Sequence, residues 1–168
     1  MSFTIREATS DDIPALARLH VKTFNQTHTF LGIGGPSYEL RASQYRALFA
    51  KTDGSWFCFV AADADGELVG FAVGEPSDDE HYRGELSKLY LLREYQRRGV
   101  GTKLACHVAQ RFVSQGITSM QLFSQAENKS LGFFDAMGGE KWLGDAGEFH
   151  GGYRWRDIHA LAGRCADE

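Results

Sequence analysis

Apolar and polar positions alternate from Phe3 to Ala8, which predicts a first strand. Ser10, Asp11 and Asp12 then supply an N-cap and an acidic first turn, and Pro14 is tolerated that early in a helix. Ile13, Leu16, Ala17, Leu19, His20 and Phe24 mark the apolar stripe of that helix. Asn25 to Ser37 is polar, glycine-rich and holds Pro36, so it reads as a long loop. A second helix is predicted from Tyr38 to about Lys51, carrying Leu40, Tyr45, Leu48 and Phe49. Trp56–Ala62 and Leu68–Val73 read as two strands of a hairpin across Asp63-Ala64-Asp65-Gly66. A loop from Gly74 to Glu80 leads to a strand from His81 to Leu92. Val100, Leu104, Val108 and Phe112, spaced four apart, predict an amphipathic helix that Gly116 ends. Thr118–Ser124 is a strand and Asn128–Met137 a helix, and two strands close the chain around Gly144–Gly147 and His150–Gly152.

These elements describe an α/β chain with a mixed, mainly antiparallel sheet, and nothing divides it, so residues 1–168 are expected to form one domain. A hydrophobic content of 43% with 24% charged residues is ordinary for a globular protein. The net charge of −4 argues against a broad nucleic-acid surface. The first residues lack an apolar signal core and no run approaches a membrane-spanning length, so no membrane partner is expected. Cys58 and Cys106 lie in apolar-patterned segments and read as buried thiols; with Cys165 they are odd in number, and a reducing cytoplasm is the natural inference. The six histidines show neither an H-E-x-x-H pattern nor paired Cys/His spacing, so no metal is expected.

Gln96-Arg97-Arg98-Gly99-Val100-Gly101 changes the picture. It sits between a strand-like run, Leu86–Leu92, and the helix that follows, and strand, glycine turn and helix together make an anion site. Free N–H groups at the helix start point toward phosphate oxygens, Gly99 and Gly101 let a ligand approach the backbone, and Arg97 and Arg98 add charge. A dinucleotide fingerprint would need glycine where Leu104 stands, and Thr102-Lys103 is the wrong order for a nucleoside-triphosphate loop. What fits is Gln/Arg-x-x-Gly-x-Gly/Ala, which resembles the pyrophosphate-binding motif of the GNAT superfamily of acetyl-CoA-dependent N-acetyltransferases. Asn128-Lys129-Ser130-Leu131-Gly132-Phe133-Phe134-Asp135-Ala136-Met137-Gly138 resembles that family's short helix beside the pantetheine arm.

The resemblance implies a sheet whose two central parallel strands, Leu86–Leu92 and Thr118–Ser124, splay apart to admit pantetheine, flanked by helices. It implies acetyl-CoA as cofactor, with coenzyme A as product. It assigns Leu89, Tyr90 and Leu91 to the pantetheine amides, Gln96, Arg97, Arg98, Gly99, Val100, Gly101 and Thr102 to the pyrophosphate, and Asn128, Phe133 and Phe134 to the flanking helix. The function it implies is acetyl transfer to a primary amine by direct attack in a ternary complex. No Gly-x-Ser-x-Gly elbow is present to suggest a covalent acyl-enzyme.

Such a transfer needs a base for the amine, a polarised carbonyl and a proton for the leaving thiolate. Relatives place a glutamate where Glu85 stands, so Glu85 is the expected base; its bland alternative is a solvated glutamate at a strand end. Relatives have tyrosine where this chain has Phe134, which has no proton to give. Ser130, Tyr90, Tyr153 and water are left as donors. Asn128 is a cofactor contact or a helix cap. Acceptor recognition is expected in the irregular segments, at Phe24, His28, Phe30 and His150, while Asp78, Asp79, Glu80 and Glu148 read as solvated acids with some attraction for a cation. Trp142 and Trp155 belong either to a homodimer surface or to the core. The loss of tyrosine keeps a second class open, a non-catalytic acyl-CoA-binding or sensing module on the same fold.

Overall fold

The computed structural model describes residues 2–28, 35–124 and 131–166, the side chains of Thr27, His28 and Leu131 excepted. The strands are β1 (Phe3–Glu7), β2 (Phe57–Asp63), β3 (Leu68–Pro76), β4 (Gly84–Leu91), β5 (Met120–Phe123), β6 (Glu140–Leu143) and β7 (Phe149–Trp155). The helices are α1 (Ile13–His28), α2 (Tyr38–Phe49), α3 (Val100–Ser114), α4 (Leu131–Ala136) and α5 (His159–Ala162). One seven-stranded sheet runs in the order β1-β2-β3-β4-β5-β7-β6. Every neighbouring pair is antiparallel except β4 and β5. The core fills both faces: α3 packs Leu104, Val108 and Phe112 on one, and α1 with α2 packs Leu16, His20 and Tyr45 on the other.

The expected splay is present. β4 and β5 pair only at Gly84–Met120 and Glu85–Gln121, although β4 continues to Leu91. From Leu86 onward the β5 side of β4 has no strand partner among the described residues, and Leu89, Tyr90 and Leu91 are only half-buried in the middle of a sheet. A backbone edge left open there can take another extended group as though it were a strand.

Several boundaries differ from expectation. Helix α1 runs on to His28, because Gln26 is held at its end: its carbonyl accepts from the Arg93 guanidinium at 3.0 Å and its side-chain Oε1 from the Arg93 N–H at 3.1 Å. Strand β3 does not stop at Gly74 but pairs with β4 as far as Pro76. Gly74 is there because the Phe57 ring and Val108 fill the space of a side chain, not because the chain turns. A single turn, Gly144–Glu148, joins β6 to β7, and His150–Gly152 lies within β7, where Trp142 packs over Gly152. Trp155 belongs to the core, its indole N–H donating to the Met137 carbonyl at 3.1 Å, whereas Trp142 is exposed.

The cysteine reading also changes. Cys106 is not a free thiol: it forms a disulfide with Cys165, their Cα atoms 5.3 Å apart, which ties the chain after α5 to the buried side of α3. Cys58 alone is free, and buried. The pairing was hidden because 59 residues separate partners that only packing of α5 on α3 brings together, and because α5, a single short turn after Asp157, has too few residues to show a period. The argument for a reducing compartment from three free thiols therefore loses its basis. Among the described residues, no helix is long and apolar enough to cross a membrane.

Denatured protein should titrate one thiol without reductant and three after reduction. Reduction, or Cys165→Ser, should lower unfolding free energy by about 2–4 kcal/mol in denaturant melts, the usual range for a bond closing a loop of this size.

Candidate active site

The site is built around a single extra residue in β4. Val73 pairs with Lys88 and Gly74 with Leu86, so Ser87 has no partner on β3 and bulges out of the ladder. Side chains alternate along a strand, so an inserted residue exchanges the two faces beyond it. Above the bulge, Phe71–Tyr90 and Val73–Lys88 share the face packed by α1 and α2; below it, the Glu75–Glu85 pair joins that same face. Without Ser87, Glu85 would share a face with Leu89 and Leu91 and point under α3. The bulge thus places Glu85, Lys88 and Tyr90 on one face of the sheet, beside the edge where β4 and β5 part.

Burial first, then the carboxylate of Glu75 opposite, pushes Glu85 above the ordinary glutamate range. Ser87 Oγ donates to Glu75 Oε2 at 3.1 Å and so holds the second carboxylate in place. On the other side Gln121, only 5% exposed, pairs with Glu85 across the parallel ladder. Its Nε2 donates to Ser77 Oγ at 2.6 Å, while its Oε1 is buried without a partner. Such an acceptor is costly to bury and suits a donor brought by a ligand.

Tyr90 packs on Phe71, with ring centroids 5.6 Å apart, and on His20 at 5.5 Å. Burial raises its phenol above the ordinary tyrosine range, so it keeps its proton at neutral pH. His20, 1% exposed, shares a 2.7 Å hydrogen bond with the Tyr45 hydroxyl. Burial first, then the charges of Arg41 and Lys88, lowers its pKa to about 3, and the ring stays neutral.

The turn after β4 fits the anion reading. Arg97, at φ 62°, and Gly99, at φ 82°, both take the left-handed conformation, and no side chain caps α3. Lys103 is the first residue of α3 whose N–H returns into the turn, to the Gly99 carbonyl, so the N–H groups of Val100, Gly101 and Thr102 are unclaimed among the described residues. Gly99 is open on every side and is required for its φ. Gly101 has a different reason: a Cβ there would stand 2.8 Å from Phe133 Cζ and 3.3 Å from Leu91 Cδ1. The missing side chain admits the Phe133 ring, which brings α3, α4 and the open edge of β4 together. Arg98 Nε donates to the Glu94 carbonyl at 2.9 Å and steadies the turn; Arg97, Arg98, Gln96 and Gly99 are exposed.

Other expected residues are not gathered here. Phe134 is core, packed on Tyr153 at 5.3 Å, and Tyr153 is itself fully buried with its hydroxyl bonded to Asp135, so neither reaches the cleft. His150 is exposed on β7 and paired with Glu148 at 3.6 Å, separated from β4 by β5. Asp79 caps its own turn through the His81 and Tyr82 N–H groups and pairs with Arg154. Phe24 does face the site side, under the Arg41 guanidinium at 5.7 Å. Phe30, Asn128 and Ser130 lie outside the described residues, as does the side chain of His28. Reading the sequence did not single out Glu75, Ser87, Lys88, Arg41 or Gln121. Their only signal is the pairing register, which a lone sequence does not display. No group of three His, Cys, Asp or Glu residues able to hold a metal occurs among the described residues.

Residues 15–138 match the family model described as the acetyltransferase (GNAT) family. A 170-residue alignment, 33% identical and covering 94% of this chain and 95% of the relative, links it to an uncharacterized N-acetyltransferase, YuaI, of Bacillus subtilis (strain 168). The fold is similar to that of the PaiA N-acetyltransferase from Thermoplasma acidophilum, solved in complex with coenzyme A, at TM-score 0.65 and 22% identity over 92% of this chain and 100% of that one. It is also similar to AAC(6')-Iy, solved with the bisubstrate analog CoA-S-monomethyl-acetylneamine, at TM-score 0.66 and 19% identity over 81% of this chain and 89% of that one.

Two outcomes are expected. Gly101→Val should push Phe133 out of its seat, costing about 1–3 kcal/mol of stability in thermal or denaturant melts, with Phe133→Ala in the same protein recovering most of it. His20, about 3 in the fold against 6.5 in its unperturbed state, contributes stability that is complete above pH 6.5 and lost as pH falls toward 3. In His20→Gln the acid-side slope of unfolding free energy should be smaller by up to about 1.4 kcal/mol per pH unit, one proton's worth.

Proposed function

This chain belongs to the acetyltransferase (GNAT) family, and from that footing we propose that it transfers an acetyl group from acetyl-CoA to a primary amine by direct attack. The observation that carries the reading is the juxtaposition of the open β4 edge with a bulge that turns Glu85 into the adjoining cleft. The residues present suit the acyl donor. The free edge of Leu89 to Leu91 can bond amides of an extended arm, and the N–H groups at the start of α3, with Arg97 and Arg98, suit a pyrophosphate. Acetyl-CoA supplies an activated thioester carbonyl.

The chain's own groups then have separable tasks. Glu85, with its raised proton affinity and half-buried seat, takes the proton of the incoming ammonium. The unpartnered Oε1 of Gln121 accepts a second N–H from the same nitrogen and orients it. A strand N–H near Leu89 polarises the carbonyl. Tyr90 is the proton donor of choice for the thiolate, since it is half-buried, keeps its proton and shares the Glu85 face, whereas Phe134 has no proton and Tyr153 is bound to Asp135. Attack is direct because the described cysteines offer no nucleophile: Cys106 is in a disulfide, and burial holds the Cys58 thiol far above the usual range. The exposed rings of Phe123 on β5 and Trp142 on β6, whose centroids lie 5.5 Å apart across β7, support a homodimer.

The competing reading, an acyl-CoA sensor without turnover, lacks a use for a half-buried Glu85 facing an open slot. Glu85→Gln decides between them. Thiol release with amine and acetyl-CoA should fall about 10²–10⁴-fold, the range of a lost general base, while calorimetric affinity for acetyl-CoA stays within twofold. In the wild type, kcat/KM should rise with pH as Glu85 loses its proton, at a pH above the ordinary glutamate range. An unchanged rate in Glu85→Gln removes it as the base, and absence of turnover in the wild type favours the sensor.

A further inference from the structure

The cleft holds two pairs of like charge. Glu75 and Glu85 stand opposite each other at one end. At the other, Lys88 shares the face of Tyr90, and Arg41 stands one turn before Tyr45 on α2, whose hydroxyl reaches His20 over Tyr90. The Arg41 guanidinium lies over Phe24, gives Nη1 to Gln44 Oε1 at 3.2 Å, and leaves its buried Nε without a partner among the described residues. Among the described residues neither Arg41 nor Lys88 has a carboxylate within ion-pair distance, although both are half-buried. Burial first, then the charge of Arg41, holds Lys88 below the ordinary lysine range. The two half-buried cations bear on the same face, Glu75 and Glu85 offset only part of their effect on Lys88, and an anion that enters there relieves both the unfavourable charge and the missing bond at the Arg41 Nε.

We propose that the acceptor is a primary amine that itself carries an anionic group, carboxylate or phosphate, with the anion held by Arg41 and Lys88 and the amine directed to Glu85 beside Glu75. The inference rests on the acyltransferase reading and narrows its substrate. A polycation would bring a second positive charge against Arg41 and Lys88, and a plain alkyl amine would leave both without an anion, so the arrangement selects against each. Lys88 and Glu85 face Val73 and Glu75, two positions apart on β3, so the bulge leaves them about 7 Å apart at about 3.3 Å per residue, which suits an amine and anion separated by several bonds rather than sharing one carbon.

The test is a matched panel with acetyl-CoA in excess, followed by thiol release: 4-aminobutanoate, 2-aminoethyl phosphate, butylamine and butane-1,4-diamine. The better of the two anionic acceptors should exceed butylamine and the diamine at least tenfold in kcat/KM, and their order distinguishes carboxylate from phosphate. Arg41→Gln should bring the ratio of anionic to neutral acceptor close to one, and Lys88→Glu should invert it toward the diamine. Thermal melts and acetyl-CoA affinity check that each variant folds. A diamine preferred by the wild type, or variants that slow every amine in equal proportion, overturns the inference and leaves the acyltransferase reading standing. No acetylation of any amine, with acetyl-CoA bound, overturns that reading and this inference with it.

Discussion

Ser87 has no residue opposite it on β3, and the ladder can continue on both sides only if β4 changes which face each side chain meets. That constraint puts Glu85 on the same side as Lys88 and Tyr90, while Leu86, Leu89 and Leu91 stay with Gly70, Ala72 and Gly74 under α3. It also coincides with the place where β4 leaves β5, so a polar cleft and an open backbone edge arise within a few residues of each other. Ser87 then uses its own hydroxyl to hold Glu75, whose charge adds to burial in keeping Glu85 protonated longer than a solvated glutamate would be.

The cleft is polar but embedded in apolar walls, and that setting governs the behaviour of each group. Charges near a low-dielectric wall interact more strongly than they would in water. Glu85 moves up, Lys88 moves down, and His20, closed between Phe71, Tyr45 and Tyr90, stays neutral and serves as part of the wall. The same Arg41 charge bears on His20, Lys88 and Tyr90, so α2 shapes the electrostatics of this face as well as covering the sheet.

The turn after β4 is held from two directions. Arg93 fastens its start to the end of α1, and Gly101 lets Phe133 of α4 seat against the first turn of α3. The helix behind it is anchored in turn by burial of Leu104, Val108 and Phe112 and by the Cys106–Cys165 bond to the tail. A backbone anion site works through fixed N–H directions, so rigidity of this kind suits the pyrophosphate contact proposed for the turn as well as stability.

Sequence alone determined the elements whose signal is local and periodic. The four-residue spacing from Val100 to Phe112 named α3, alternation named β1 and the β2–β3 hairpin, and Gln96–Gly101 named the anion turn, because each depends on residues a few positions apart. It also named Glu85, though by resemblance and not by geometry. Only the tertiary structure decided the rest. It gave Gly74 a packing reason in place of a turn and added one at Gly101, turned Cys106 from a free thiol into a disulfide, and moved Phe134 and Tyr153 into the core. It also joined Arg41, Lys88, Glu75 and Gln121 to Glu85. These follow from which strand residues pair and which helices lie over them, and pairing joins positions tens of residues apart, where no local pattern of hydrophobicity reaches.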